Sequence, residues 1–263
     1  MAGRSIRYLI IDLDGVLRRN RQPLPGAAEL LRWLERRGIG YTIVSNNAVP
    51  TPSQLAAALA EMGILVDERR LITSAAGAAW FLSREWPGGA RVYIIGEEGL
   101  RQAILADGLF VEDERRPDCV VVGADRAINY RKLAIACRAL CNGARFVATN
   151  TDPRFPTEDG VAPGAGALVA AVETCSGVKP TVVGKPQVLL LRMALERMGA
   201  QPEETALVGD QLETDVAGGM AAGLRTILVL TGLTAPADLA ASPIKPACVF
   251  RGLPELMEAW HTL

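Results

Sequence analysis

Histidine is almost absent from this 263-residue sequence: His261, close to the end, is the single one. Ser-His-Asp and Cys-His catalysis, phosphohistidine intermediates and multi-histidine metal sites all depend on histidine. We therefore expect any catalysis to use carboxylates, hydroxyls, lysines or a bound metal ion.

Cysteine is also sparse, and no CxxC pair occurs. The five cysteines are Cys119, Cys137, Cys141, Cys175 and Cys248. An odd number without a framework spacing predicts reduced, mostly buried thiols. Cys137 and Cys141 have the spacing of two zinc ligands on a helix, but no histidine or second cysteine pair completes the set, so we expect core packing there.

Long hydrophobic runs and an excess of charge of one sign are missing as well. No stretch approaches the roughly 20 apolar residues of a membrane span, and the first apolar run is too short for a signal peptide. A formal net charge of -1 and a pI of about 6.0 do not indicate a nucleic-acid binder. We expect a cytoplasmic protein with neither membrane nor nucleic-acid partners.

What the sequence does contain is an alternation of short apolar runs and amphipathic helical stretches, which is typical of a parallel α/β sheet. Helices are predicted at Pro25–Gly38 and Thr51–Gly63. The predicted strands are Arg7–Ile11, Gly40–Ser45, Leu71–Ser74, Val92–Ile95, Cys119–Val122, Arg145–Ala148, Thr181–Val183, Thr205–Val208, Thr226–Leu230 and Cys248–Phe250.

Ten strands are many for one sheet, and the middle third of the chain has the pattern of a separate α/β unit. We therefore predict a Rossmann-like doubly wound parallel sheet core formed by residues 1–77 and 180–263. Residues 78–179 are predicted to form an inserted α/β domain.

Four polar motifs follow predicted strands. They are DLDGV (Asp12–Val16), SNN (Ser45–Asn47), GKP (Gly184–Pro186) and GDQLETD (Gly209–Asp215). Ligands of open parallel α/β sheets bind beyond the carboxyl ends of the strands, so we expect these motifs to meet in one crevice. Several carboxylates around one point suit Mg²⁺, while a hydroxyl and a lysine facing that cation suit a phosphate.

The four motifs, in this order, resemble those of the haloacid dehalogenase-like (HAD) phosphohydrolases. Within them the sequence is most similar to the branch with an α/β cap domain inserted between the second and third motifs. That branch includes 4-nitrophenyl phosphatase-like, pyridoxal phosphatase-like and nucleotidase-like proteins. The resemblance implies that the inserted domain is such a cap. Homodimers through the cap are common among similar proteins, but the sequence leaves the oligomeric state open.

The resemblance further implies a Mg²⁺-dependent phosphomonoesterase that hydrolyses a small phosphorylated metabolite through an aspartyl-phosphate. Asp12 would be the nucleophile and Asp14 the general acid and base. The other implied roles are phosphate binding by Ser45, Asn46 and Lys185, Mg²⁺ binding by Asp12, Asp210 and the backbone carbonyl of Asp14, and support of these groups by Asp215 and Asn47.

The sequence departs from the family pattern directly after the first motif, where an aromatic residue, a basic residue and a glycine often stand. Here Arg18, Arg19 and Asn20 occupy those positions. An arginine pair would favour a substrate with a second negative charge, and a solvated loop is the alternative. Asn150, Asp152 and the loop at residues 154–160 are the candidates for substrate contacts in the cap.

Two other functions stay open from the sequence. A phosphomutase of the same superfamily would retain the phosphoenzyme for transfer. A catalytically silent metabolite-binding protein would use the same crevice without turnover.

Overall fold

The computed structural model describes residues 5–157 and 160–262. Its strands are β1 (Tyr8–Asp12), β2 (Arg18–Arg19), β3 (Gln22–Pro23), β4 (Gly40–Ser45), β5 (Leu71–Thr73), β6 (Ala90–Ile95), β7 (Phe110–Glu112), β8 (Cys119–Val122), β9 (Arg145–Ala148), β10 (Arg154–Thr157), β11 (Gly160–Pro163), β12 (Thr181–Val182), β13 (Thr205–Gly209), β14 (Arg225–Val229) and β15 (Cys248–Phe250). Its α-helices are α1 (Ala27–Arg36), α2 (Pro52–Glu61), α3 (Ser74–Glu85), α4 (Glu98–Leu105), α5 (Tyr130–Cys141), α6 (Ala165–Ser176), α7 (Leu189–Met198), α8 (Ala217–Ala221), α9 (Pro236–Ala241) and α10 (Leu253–Ala259).

The described chain divides into two compact units. The first comprises the chain up to Ser45, the segment Ser53–Ile72, and Lys185 onward. The second comprises Asn46–Pro52 and Thr73–Gly184. The boundaries of folding domains, which we place after residues 77 and 179, stay a prediction.

The sheet of the first unit has the strand order β15-β14-β13-β1-β4-β5. Strand β1 pairs in parallel with both β13 and β4. The chain therefore starts in the middle of the sheet, adds strands on one side, and returns to add strands on the other. This is the doubly wound order that we predict, and its reversal lies between β1 and β13, where such folds bind ligands.

Strand β1 is central because it is apolar on both faces. Leu9, Ile10 and Ile11 are fully buried, as expected for a parallel strand covered on both sides. Helix α1 contributes Leu30 and Leu34 to the same cluster as Leu9, and these leucines recur at the spacing of one helix face. The packing holds the carboxyl end of β1, which carries Asp12, in a rigid frame.

The second unit contains a five-stranded parallel sheet in the order β12-β9-β8-β6-β7. Helices α5 and α6 cover one of its faces with an apolar cluster that includes Val120, Ile135 and Val169. The strand at Thr181–Val182 belongs to this sheet, where it pairs with β9. We predict this strand and its position before GKP, but its apolar residues identify a strand and not its neighbour.

Five short strands were not predicted. Four form two antiparallel hairpins, β2–β3 and β10–β11, and the fifth is the edge strand β7. The segment at residues 154–160, predicted as a loop, includes β10, while Glu158 and Asp159 lie outside the described residues. These strands are short and mixed in polarity, so they lack the apolar run on which the prediction relies.

The cysteines are less buried than we predict. Cys119 and Cys137 are buried, but Cys141 and Cys175 are exposed because they lie in the last turns of α5 and α6. No metal-binding group that includes a cysteine occurs in the described ranges. The described helices also include none that is long and apolar enough to cross a membrane.

We predict that Leu9→Ala lowers the free energy of unfolding by about 2–5 kcal/mol, because it leaves a cavity at a fully buried position. Urea denaturation followed by circular dichroism measures the loss. The control is Leu65→Ala, at a leucine that is 76% exposed, where we expect a change below about 0.5 kcal/mol. Equal losses in the two variants would contradict the assigned core.

Candidate active site

A buried lysine joins two of the predicted site aspartates in the first unit. Lys185 Nζ donates to Asp12 Oδ1 at 2.5 Å and to Asp215 Oδ1 at 2.6 Å. All three side chains are almost fully buried. Asp12 is the last residue of β1, so the lysine reaches across from the segment that precedes α7 to the carboxyl end of the central strand.

Asp210 and Asp215 are placed by the end of β13 and by the turn that follows it. A π-helical turn at Leu212–Val216 turns the Asp215 carboxylate back toward the strand. There its Oδ2 accepts hydrogen bonds from the backbone N–H groups of Asp210 and Gln211, at 3.2 and 3.1 Å. Both oxygens of Asp215 are thus engaged within the protein, which suits the supporting role that we predict for it.

One oxygen of Asp210 is anchored and the other is not. Its Oδ2 accepts from the backbone N–H of Leu233 at 2.7 Å. Its Oδ1 is buried and has no hydrogen-bond partner among the described residues. A buried carboxylate oxygen without a partner is costly, so a cation at this position would satisfy it.

Two glycines allow the aspartates to come this close. Gly15 has a φ of +88°, and a Cβ on it would lie 2.5 Å from Asp210 Cγ. A Cβ on Gly209 would overlap the Asp215 side chain in the same way. The glycine in the DxDG motif is therefore needed both for its left-handed backbone and for the space beside Asp210.

The charges of this cluster do not balance. Three carboxylates (Asp12, Asp210 and Asp215) surround one ammonium (Lys185), an excess of two negative charges, and ligand atoms of the three lie within 4.8 Å of one another. Oxygen donors and an excess of two negative charges fit Mg²⁺. Asp12 and Asp210 have the positions to hold it, and the unpartnered Asp210 Oδ1 is the observation that supports the fit.

The pKa values of the cluster reflect burial and crowding. Burial raises the pKa of Asp12 well above its ordinary value, Lys185 opposes the rise, and Asp215 and Asp210 add to it. Burial, followed by repulsion from Asp215, raises the pKa of Asp210 to about 7. Burial acts to lower the pKa of Lys185, but attraction to Asp12 and Asp215 raises it overall, so the ammonium persists.

Ser45 is the last residue of β4 and is buried. In the parallel pairing of β1 with β4, Asp12 lies opposite Val44, so Ser45 is one residue beyond the register position of the aspartate. Its side chain is thus at the same end of the sheet as the cluster, as the position of SNN after a strand predicts.

The remaining motif asparagines lie in the second unit and interact there. Asn46 Nδ2 donates to Asp152 Oδ2 at 3.2 Å, and Asn150 Nδ2 donates to the Asn46 carbonyl at 2.7 Å. Asn47 Oδ1 accepts from the backbone N–H of Val49 at 2.9 Å. These contacts bring Asn46, Asn150 and Asp152 together, while their roles toward phosphate and substrate stay predictions.

The two arginines after the first motif have different partners. Arg18 Nε donates to Asp14 Oδ1 at 2.9 Å, whereas Arg19 Nη2 donates to the Thr231 carbonyl at 2.6 Å. Both arginines lie in the hairpin β2–β3, and whether they contact substrate stays a prediction. Asp14 itself is the exposed member of the group, with 52% of its side chain accessible.

Comparisons with known proteins decide the family. Residues 9–109 match the haloacid dehalogenase-like hydrolase family, and residues 182–256 match a second family of HAD-like hydrolases. The acid sugar phosphatase of Staphylococcus saprophyticus is 35% identical over 97% of this chain and 98% of its own. The chain belongs to the HAD-like hydrolases.

Two further proteins are similar to this chain over nearly their whole lengths. The 5'-nucleotidase YutF of Bacillus subtilis is 39% identical over 96% of this chain and 98% of its own. The solved structure of a 4-nitrophenylphosphatase from Thermotoga maritima superposes with a TM-score of 0.92 at 36% identity, covering 97% of each chain. The resemblance and the fold class predicted from the sequence are confirmed.

Residues that directly follow β14 complete this HAD-like site and were not predicted from the sequence. Thr231 Oγ1 donates to the Gly15 carbonyl at 2.6 Å, and the Leu233 N–H binds Asp210. Gly232 lies so close to Asp210 that it has no room for a Cβ. A signal was present, since Thr231-Gly232 follows a predicted strand just as the four motifs do.

We predict that the metal-free protein loses stability as the pH rises because of Asp210. Its pKa in the folded state is about 7 against an ordinary value of 3.8, so the folded protein binds more protons than the unfolded chain between these two values. The free energy of unfolding then falls as the pH rises through this window. Across this window the free energy of unfolding of wild type should fall by on the order of a few kcal/mol more than that of Asp210→Asn.

Urea denaturation in EDTA at pH 5 and pH 8 measures this difference. The control, Asp107→Asn at an exposed position, should follow wild type. Identical pH dependence in wild type and Asp210→Asn would contradict the raised pKa.

Proposed function

We propose that this HAD-like hydrolase is a Mg²⁺-dependent phosphomonoesterase that acts on small phosphorylated metabolites through an aspartyl-phosphate on Asp12. That the chain is an enzyme of the phosphatase class rests on its relatives, which are named acid sugar phosphatase, 5'-nucleotidase and 4-nitrophenylphosphatase. The metal dependence and the residue roles rest on the geometry of the buried cluster.

The observation that carries the proposal is the pairing of Asp12 with Lys185 at the end of the central strand. The lysine occupies Asp12 Oδ1, while Oδ2 has no hydrogen bond within the described part of the chain. Asp12 Oδ2 is therefore the oxygen that attacks phosphorus, as carboxylates do in covalent phosphoryl transfer. Attack forms the bond from Oδ2 to phosphorus while the bond to the ester oxygen breaks.

Asp14 is the proton carrier in this scheme. Because about half of its side chain is exposed, it can meet both a leaving group and a water molecule. Its carboxyl gives a proton to the departing ester oxygen, and the resulting carboxylate takes a proton from the water that hydrolyses the aspartyl-phosphate. Phosphate leaves, and Asp12 and Asp14 return to their starting states.

Lys185 and Ser45 stabilise the phosphoryl group. The ammonium opposes its negative charge, and the hydroxyl donates to one of its oxygens. Asp12, Asp210 and the backbone carbonyl of Asp14 would hold Mg²⁺, which would supply charge neutralisation for the phosphoryl oxygens. Asp215 keeps Lys185 in position through its 2.6 Å contact.

The partner of this site is a small phosphorylated metabolite. A homodimer, a cytoplasmic location and the absence of nucleic-acid partners stay predictions, as does substrate contact by Asn150 and Asp152 in the second unit. Names of relatives place sugar phosphates and nucleoside 5'-monophosphates first among the substrates to test.

We predict that Asp12→Asn lowers kcat for 4-nitrophenyl phosphate by at least about 10³-fold, because an amide cannot act as the nucleophile. Release of 4-nitrophenolate measures turnover. Asp67→Asn is the control: it removes an exposed carboxylate that caps a 3₁₀ turn, and the amide oxygen can still accept that hydrogen bond.

Full activity in Asp12→Asn would contradict the assigned nucleophile. Absence of turnover in wild type, with every substrate of a phosphorylated-metabolite panel, would favour the catalytically silent alternative. Formation of an isomeric phosphate ester without release of inorganic phosphate would favour a phosphomutase.

We predict that EDTA abolishes wild-type turnover and that Mg²⁺ restores it. We expect this dependence because the carboxylates around Asp210 carry excess negative charge, and because Asp210 Oδ1 has no hydrogen-bond partner among the described residues. Metal binding should also raise the thermal unfolding temperature at pH 8, and Asp210→Asn should weaken that rise. EDTA-resistant turnover would contradict the metal requirement.

A further inference from the structure

We propose that Arg18 binds a second anionic group of the substrate, a carboxylate or a further phosphate carried by the leaving group. The inference rests on the proposed function, because it takes Asp14 as the residue that protonates the leaving oxygen. It makes Arg18 the residue that selects doubly anionic substrates within this site.

The first step is the distance between Arg18 and the predicted acid. Arg18 Nε lies 2.9 Å from Asp14 Oδ1. A leaving group that receives its proton from Asp14 must come within hydrogen-bond reach of the same carboxyl group. The guanidinium of Arg18 is therefore next to the leaving group. It is not next to the transferred phosphoryl group, which Ser45 and Lys185 bind in the proposed function.

The second step is the unused hydrogen-bonding capacity of Arg18. A guanidinium has five N–H donors, and only Nε has a hydrogen-bond partner among the described residues. The side chain is nevertheless only 14% exposed. A cation covered to this extent with one partner has its two terminal nitrogens available for a planar anion, which guanidinium binds with two parallel hydrogen bonds.

The third step is that Arg18 is held in place before any substrate arrives. The Gly15 N–H donates to the Arg18 carbonyl at 2.7 Å, and the Arg18 N–H donates to the Leu13 carbonyl at 3.2 Å. Arg18 also pairs with Pro23 across the hairpin β2–β3. Its backbone is thus tied to the same loop that carries Asp14, so little backbone conformational freedom is lost on binding.

The neighbouring arginines do not share these properties. Arg19 Nη2 is bound to the Thr231 carbonyl at 2.6 Å, so it braces the loop after β14. Arg21 is 81% exposed and pairs with Glu61. The hairpin therefore contains three arginines, of which Arg18 is the one beside Asp14.

The test compares 3-phosphoglycerate with glycerol 3-phosphate, which differ by a carboxylate in place of a hydroxymethyl group. Wild type should prefer 3-phosphoglycerate in kcat/KM. Arg18→Met should lower the ratio of the two kcat/KM values by about tenfold, the effect of one lost charge-assisted contact. Arg18→Lys should retain part of the preference, because it keeps the charge without the planar fork.

Arg21→Met is the matched control, since it removes the same charge from the same hairpin at an exposed site. Its ratio should stay within about twofold of wild type because exposed charges are screened. A second readout is independent of turnover: calorimetric affinities for 3-phosphonopropionate and propylphosphonate in Mg²⁺. The ratio of these affinities should follow the same order across the variants.

The outcomes separate this inference from the proposed function. Turnover of 4-nitrophenyl phosphate with unchanged ratios in Arg18→Met overturns the role of Arg18 and leaves the phosphatase assignment standing. If wild type shows no turnover but its ratio of phosphonate affinities falls in Arg18→Met, the role of Arg18 is supported and the catalytic proposal is overturned. Equal affinities for the two phosphonates, or none, overturn the role of Arg18.

Discussion

The contact of the Lys185 ammonium with Asp12 and Asp215 is the interaction on which the rest of the site depends. Burying an unpaired charge is unfavourable by several kcal/mol, so each of these three groups is tolerable only because the others are present. Asp215 is further fixed by the two backbone N–H groups at the end of β13. The lysine is thereby held against the one carboxylate proposed to attack phosphorus.

Lys185 neutralises only part of the negative charge of the cluster, since three carboxylates share one ammonium. Asp215 uses both oxygens on protein donors, whereas Asp210 uses one and leaves the other buried without a partner in the described chain. Asp215 therefore holds Lys185 in place, whereas Asp210, five residues earlier, is left with an oxygen that a metal ion could bind. The position of Asp210 also explains how Gly15 and Gly232 matter: any larger residue would displace Asp210.

Much of the core site could be predicted from the sequence, because strand ends in a parallel sheet converge and Asp12, Ser45 and Asp210 each follow an apolar strand. Other features could not, for identifiable reasons. The pattern at Thr181–Val182 indicates a strand, but hydrogen-bond partners far along the chain decide which sheet it joins. Arg18 and Arg19 are identical in type, and only the short hairpin, which has no apolar periodicity, directs one to Asp14 and the other to Thr231.

The order in which the central strands are made has a consequence for biosynthesis. Strand β1 is made shortly before its neighbour β4, but its other neighbour, β13, is made only after the whole second unit. Until then one edge of this central apolar strand is unpaired, and such edges favour wrong pairing. Pairing of β1 with β13 brings Asp210 to the site, and the residues after β14 that bind Asp210 and Gly15 are made later still. Nascent chains therefore cannot carry the finished site before both strands are made.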